Sequence, residues 1–565
     1  MATLFRITLN KPHHPELHLI NQFMENQKPK NTLFQMRLPI FLALAVICGI
    51  FIGAAMSKKG TEQSVASNYL RFAEIINYIQ QDYVDTVDVD KLVDYSITQM
   101  LEKLDPHTYY IPASDRQVVD SQLESNFEGI GIEFAIIKDT IYVTSPISGG
   151  PSEKAGLMAG DKIIKVDTIQ MAGIGVTSAD VFKRLRGPKD TKVLLTIKRK
   201  NTPKLLTYTI IRDKIPMFSI DAAYMIDKTT GYIKINRFGE RTYEEFTEAL
   251  AQLKKEGMKR LMIDLKDNGG GYLNCVTDMA DQLLSGDKMI VYTDGKGTKY
   301  DQEYRAHLLG AFETGPVVVL INENSASASE ILSGALQDND RGLIVGRRSF
   351  GKGLVQMPLN LNDGSELRIT ISRYYTPSGR CIQKPYDKDD AAAYHSDLLK
   401  RQQHGELFHA DSIHFNDSLK FQTSKGRTVY GGGGIMPDVF VAIDTSDYTK
   451  YVMELYNENI IREYTLNYYQ ENKTKLKKMP YDKYFNSFVV SDAMLKNLID
   501  MATKNGIKYN DADYKRSKEL IKNNVKAYIA RSVWGNKGFY PIYNLKDEIY
   551  IKGLNSFVEA AKIEE

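Results

Sequence analysis

The sequence predicts an α/β core joined to a β-rich module, with helical regions on either side, in one multidomain chain. Three observations carry this reading. At 565 residues the chain is too long for a single hydrophobic core. Between residues 214 and 445, short β-branched runs such as Val317–Ile321 alternate with helix-forming segments, the pattern of strands buried on both faces. Between 116 and 213 the segments are short and glycine-bounded, as in a small antiparallel module. Composition is ordinary for globular protein, with 43% hydrophobic and 25% charged residues. A net charge of +3 argues against a polyanion-binding surface, so nucleic acid is not an expected partner. The sequence has no C-x-x-C pair, H-E-x-x-H helix or Walker loop, and neither a metal nor a cofactor is expected. Its three cysteines, Cys48, Cys275 and Cys381, cannot make a disulfide framework, and nothing requires a Cys275–Cys381 bridge.

Residues 1–37 are polar and carry Lys28, Lys30 and Arg37 just ahead of an apolar run. Residues 39–56 hold eighteen residues without a charge, near the lower limit for a membrane span. The expectation is a signal-anchor over 38–56, with a cytoplasmic tail and the remainder facing the periplasm across the inner membrane. Cleavage near residues 53–55 is the rival reading. Residues 64–115 read as helical: Phe72, Ile75, Ile76 and Ile79 repeat at helical spacing, as do Val93, Ile97, Met100, Leu101 and Leu104. His107, alone in the turn that follows Asp105-Pro106, reads as structural.

In the β-rich block, Gly129, Ile130, Gly131 and Ile132 form a loop whose backbone N–H groups suit a peptide's terminal carboxylate, while the peptide adds a strand to the sheet. Arg186 and Arg212 are candidates for contact with the core. In the core, residues 261–265 form a buried strand that ends in LKDNGGGYL. Glycine there lets a peptide N–H face a substrate carbonyl, so Gly270 and Gly271 are candidate oxyanion donors. Val317–Ile321 then breaks into a helix over 328–336, and Ser325, Ser327 and Ser329 compete for a nucleophile's place at its start. Ser327-x-x-Glu330 also reads as a capping box, which needs no catalysis. Lys352 sits between two glycines before an extended segment, where positions 352, 354 and 356 share a face, so Lys352 and Gln356 point the same way. Burial would lower the lysine pKa enough for it to take a proton. Asp338 falls about 16 Å along the helix from Ser327, too far to orient a base. Residues 384–426 read as a polar surface insertion. Residues 446–565 are helical, with a stripe at Leu520, Ile521, Val525, Tyr528 and Ile529, and offer no chemistry.

SASASEILSGALQD followed by FGKGLVQ resembles the core of the carboxyl-terminal processing proteases, the S41 family of serine peptidases. The resemblance implies Ser327 as nucleophile, Lys352 as general base and Gln356 as its support. It implies an oxyanion hole from the N–H of Ala328 and from Gly270 or Gly271. It also implies a core of the ClpP/crotonase type over 214–445. The 116–213 block, with AG-x-x-x-GD-x-I-x-x-V behind the loop, resembles a PDZ domain. Two departures stand out: GIGI replaces the common GLGF, and Gly269 replaces the proline of N-P-G-G. The expected function is a serine endopeptidase acting on proteins whose exposed C-terminal tails the PDZ domain captures, without a cofactor. A homo-oligomer or an adaptor is left open. The alternatives are a catalytically silent PDZ peptide-binding protein and, on a related fold, a crotonase-like acyl-CoA enzyme.

Overall fold

The computed structural model describes residues 43–48, 62–116, 119, 126–413 and 416–564. Of the expected anchor over 38–56, only 43–48 are described, as helix; the rest, and the tail 1–37, lie outside the described residues. Among the described residues no helix is long and apolar enough to cross a membrane. The described residues up to 93 form a unit of their own, in which the helix Glu62–Asp82 leaves Phe72 and Ile75 of its apolar stripe exposed.

The second unit, 94–565, holds the core, the β-rich module and the C-terminal helices. The core is built on a six-stranded sheet in the order Ile220–Met225, Thr230–Ile235, Arg260–Asp264, Val317–Ile321, Leu343–Gly346 and Val439–Phe440. All its pairings are parallel except the first. Val317–Ile321 and Leu343–Gly346 are buried along their whole length, as near-continuous apolar strands must be. Helices Thr242–Lys255, Leu273–Asp281 and Ala328–Asp338 cover one face. The other face, with Tyr232, Met262, Val318, Leu320 and Val345, is covered by Ile549, Tyr550, Phe557 and Ala560. The C-terminal region is helical as expected, and two of its helices, Glu548–Asn555 and Phe557–Glu564, pack on the core sheet.

A second, antiparallel sheet runs Tyr109–Ile111, Glu366–Tyr375, Met289–Gly295, Gln302–Arg305, with Leu354–Asn360 also paired to Glu366–Tyr375. The segment read as helical up to 115 thus contributes a strand. The β-rich module is a five-strand path from Ile132–Ile136 to Leu206–Ile211 with the helix Ser178–Leu185 beside it. Its entering strand Asn126–Gly129 and leaving strand Asp213–Pro216 zip together. The helices from Lys450–Asn457 to Asp511–Tyr543 form their own apolar core, which also takes in Ala135, Ile137, Tyr142 and Ala159 of the module. Cys275 and Cys381 are free thiols.

Residues 384–426 are not a loose surface insertion. They carry the helices Ala391–His395 and Asp397–Gln403 and bury Tyr394, Arg401 and Glu406. Arg348 and Arg401 both pair with Glu406, and Arg401 donates to the carbonyls of Arg348 and Ser349. This inserted segment props the loop that carries Lys352.

Candidate active site

The turn after Val317–Ile321 separates the three serines. The Ser325 hydroxyl donates to the carbonyl of Leu265 at 2.9 Å, and that of Ser329 to the carbonyl of Asn268 at 2.8 Å. Both are fully buried and fasten the turn to the glycine loop. Ser327, between them, is half-buried and stands at the helix start with φ 57° and ψ −115°. A non-glycine residue is rarely held there, and such strain concentrates at functional positions.

Gly270 and Gly271 bring the loop against this turn. A Cβ on Gly270 would lie 2.7 Å from the Ser327 Cβ and 3.0 Å from the Ala328 nitrogen. A Cβ on Gly271 would lie 2.0 Å from the Phe238 carbonyl oxygen. The two glycines differ as donors: the Gly270 N–H is already given to Asn268 Oδ1 at 2.9 Å. Among the described residues, the N–H groups of Gly271 and Ala328 meet no acceptor. Gly269, at the place of the family proline, would have nothing within 4 Å of an added Cβ.

Two buried side chains tie Ser327 to Lys352 through the backbone. Glu330 Oε2 accepts the N–H groups of Ser327 at 2.8 Å and Lys352 at 2.9 Å, while Oε1 accepts the Gly351 N–H at 2.7 Å and the Ser349 hydroxyl at 2.5 Å. Burial pushes the Glu330 carboxyl up to about 7 against these donors. Tyr374 gathers the carbonyls: its hydroxyl donates to that of Lys352 and lies 3.2 Å from that of Ser327. The capping box visible in the sequence is therefore also a clamp. Tyr374 had no sequence signal beyond an apolar strand position.

Lys352 is half-buried and, among the described residues, forms no ion pair. Burial lowers its pKa; Glu330 opposes this, Arg368 adds to it, and Asp105 opposes it. The segment LDPHTYY contributes directly to this environment. Asp105 Oδ1 accepts from the Thr370 hydroxyl at 3.1 Å, and His107 lies against Phe350 and hydrogen-bonds the Tyr394 hydroxyl at 2.6 Å. Burial, then the charge of Lys352, push the His107 imidazole down to about 3, so the residue is neutral. Lys384 sits between the rings of Phe350 and Tyr394 at 4.0 and 4.1 Å.

The strand begins at Leu354, and the ladder shifts register opposite Val355 and Gln356, where the partner strand carries the extra residue Ile371. Gln356 faces Thr370 across the ladder, beside the Asp105 cluster, and its Nε2 is buried without an acceptor. Arg212 does not reach the core: it donates to carbonyls of Arg184 and Leu185. Arg186 lies over Phe127 and Phe182. Asp338 is structural, in a fully buried pair with Arg380 at 2.7 Å. Among the described residues no cluster suits a metal ion.

In the β-rich module, Gly131 has φ +71°, and among the described residues its N–H meets no acceptor. Among the described residues the next strand, Ile132–Ile136, is an edge strand, paired only with Ile141–Pro146.

The sequence matches Peptidase family S41 over residues 229–391, a PDZ domain over 142–199, and a family of unknown function, DUF8443, over 451–535. The carboxy-terminal-processing protease of Bartonella bacilliformis is 35% identical over 347 residues, covering 60% of this chain and 79% of that one. The carboxy-terminal processing protease CtpB of Bacillus subtilis is 35% identical over 309 residues, covering 54% of this chain and 64% of that one, just under two thirds. Among solved structures, a photosystem II D1 C-terminal processing protease is 26% identical, with a TM-score of 0.34, covering 66% of this chain and 92% of that one. The matches define a peptidase with a PDZ domain. The chain belongs to the carboxy-terminal processing proteases of peptidase family S41.

Proposed function

We propose that the protein is a serine endopeptidase that uses a Ser327/Lys352 dyad on proteins whose C-terminal tails its PDZ domain holds. One observation carries the reading: Glu330 binds the backbone N–H groups of both residues. Neutral Lys352 takes the Ser327 proton as Oγ attacks the scissile carbonyl carbon. The oxyanion accepts the N–H groups of Gly271 and Ala328, while Gly270 permits the close approach. Lys352 then gives the proton to the leaving amine as the C–N bond breaks. Water, deprotonated by the same lysine, hydrolyses the acyl-Ser327 ester. Gln356, through its unpartnered amide, orients the Lys352 amine. The tail adds to Ile132–Ile136 with its carboxylate on the loop Gly129–Ile130–Gly131–Ile132.

We assign the core to the ClpP/crotonase arrangement on its mainly parallel sheet with the nucleophile turn at a strand end. The uncharged run 39–56 supports a single-pass anchor that leaves the catalytic part in the periplasm.

The test is cleavage of an unfolded protein such as casein by the wild type, Ser327→Ala and Lys352→Ala. Cleavage by the wild type alone is expected. Cleavage by Ser327→Ala would overturn the nucleophile assignment.

A further inference from the structure

The edge strand Ile132–Ile136 and the helix Ser178–Leu185 border a groove of about 650 Å³. Inside it Phe134 and Phe182 meet edge to face, their centroids 5.7 Å apart. Its remaining wall comes from outside the PDZ domain: Asn459, Arg462 and Arg531 of the C-terminal helices line it. The two guanidinium groups differ in their partners. Arg531 pairs at 3.0 Å with Glu133, a residue of the edge strand itself. Arg462 is half-buried over the ring of Tyr528 at 5.5 Å, and among the described residues it has no carboxylate partner. The helix Ile460–Lys477 also begins here, adding its N-terminal partial charge.

This wall is held firmly against the PDZ domain. Ala135 and Ile137 are buried in the helical core, Lys138 pairs with Glu463 at 2.6 Å, and Gln470 accepts the Lys200 N–H at 3.1 Å. A guanidinium withdrawn from water without a counter-ion is unfavourable unless a ligand supplies the negative charge. A tail added antiparallel to Ile132–Ile136 has its terminal carboxylate at the glycine loop and its upstream residues toward Ile136, along this wall.

We propose that residues 451–535, a segment that matches a family of unknown function, form a specificity wall of the PDZ groove. Arg462, with Arg531, selects tails that carry an acidic side chain a few residues upstream of an apolar C-terminal residue. This rests on the tail-capture reading above and names the substrate class for it.

The test uses the full chain with Ser327→Ala, so that bound peptide is not cut. Fluorescence anisotropy compares two labelled peptides ending in the same apolar residues, one with glutamate and one with glutamine upstream, each also as its C-terminal amide. The acidic tail is expected to bind about fivefold tighter or more, a ratio that falls with rising salt and drops to about one in Arg462→Gln. Arg462→Glu should invert the preference toward a lysine-bearing tail, which a folding defect would not produce. Equal affinity for both tails, with amidation still abolishing binding, would overturn the charge selection and leave tail capture standing. Indifference to amidation would overturn tail capture, and this proposal with it.

Discussion

At Gly271 a Cβ would lie 2.0 Å from the Phe238 carbonyl oxygen, whereas at Gly269 it would meet nothing within 4 Å. Gly271→Ala should therefore lose at least about a hundredfold in kcat, the scale of one oxyanion donor, while Gly269→Ala keeps near wild-type turnover. Peptide hydrolysis by the two variants checks this, and comparable losses would count against the donor assignment. Lys352 sets the pH profile. Burial lowers its pKa, so kcat/KM should rise on a limb below the ordinary lysine range. The Glu330 carboxylate holds that pKa up, so Glu330→Gln should shift the limb to lower pH while reducing the rate. The sequence made these chemical groups legible because each needs a fixed residue type at a fixed spacing. It left Ser325, Ser327 and Ser329 in competition, because what separates them is whose hydroxyl is spent on Leu265 and Asn268, some sixty positions away. The clamp by Tyr374 was hidden for the same reason: its partners are carbonyls, which every residue has.

Among the elements, the loop from Arg348 to Gly353 depends on supports distant in the chain. Arg401 donates to two of its carbonyls, and Gln383 accepts the Gly353 N–H at 2.8 Å. Arg401→Ala would leave those carbonyls and the Glu406 carboxylate under-paired. A loss of about 1–3 kcal/mol in stability is expected, with kcat falling more than KM rises. Urea unfolding and steady-state kinetics measure the two effects. His107 adds a pH dependence. Its folded pKa is about 3 and an unfolded histidine titrates near about 6.5, so the unfolded chain takes up the proton first as pH falls. Its contribution to stability is complete above about 6.5 and lost progressively toward about 3; His107→Asn should flatten that slope in urea midpoints. Periodicity located the buried strands and the helix Thr242–Lys255 well, because burial on one or both faces writes itself into the sequence. It missed the bulge at Ile371 in Glu366–Tyr375, since an inserted residue leaves composition unchanged. It missed Tyr109–Ile111 as well, since three residues are too few to show a period.

Across the molecule, the helices Glu548–Asn555 and Phe557–Glu564 look in sequence like those before them, and only the sheet they cover tells them apart. Ile549, Tyr550, Phe557 and Ala560 are all nearly inaccessible. The larger side chains each stabilise by about 1.5–3 kcal/mol. Against a total of about 5–15 kcal/mol, their loss is decisive. A chain truncated after residue 547 should fail to give a cooperative thermal transition; one that melts like the whole protein would refute this assignment. The same arrangement bears on timing. The strands Val317–Ile321 and Leu343–Gly346 emerge during synthesis long before the two helices that cover them, with the whole helical region in between. Until those helices arrive, one face of the central sheet is bare and the turn bearing Ser327 rests on an unfinished layer. A nascent chain thus carries Ser327 and Lys352 well before the helices Glu548–Asn555 and Phe557–Glu564 that cover the sheet beneath them.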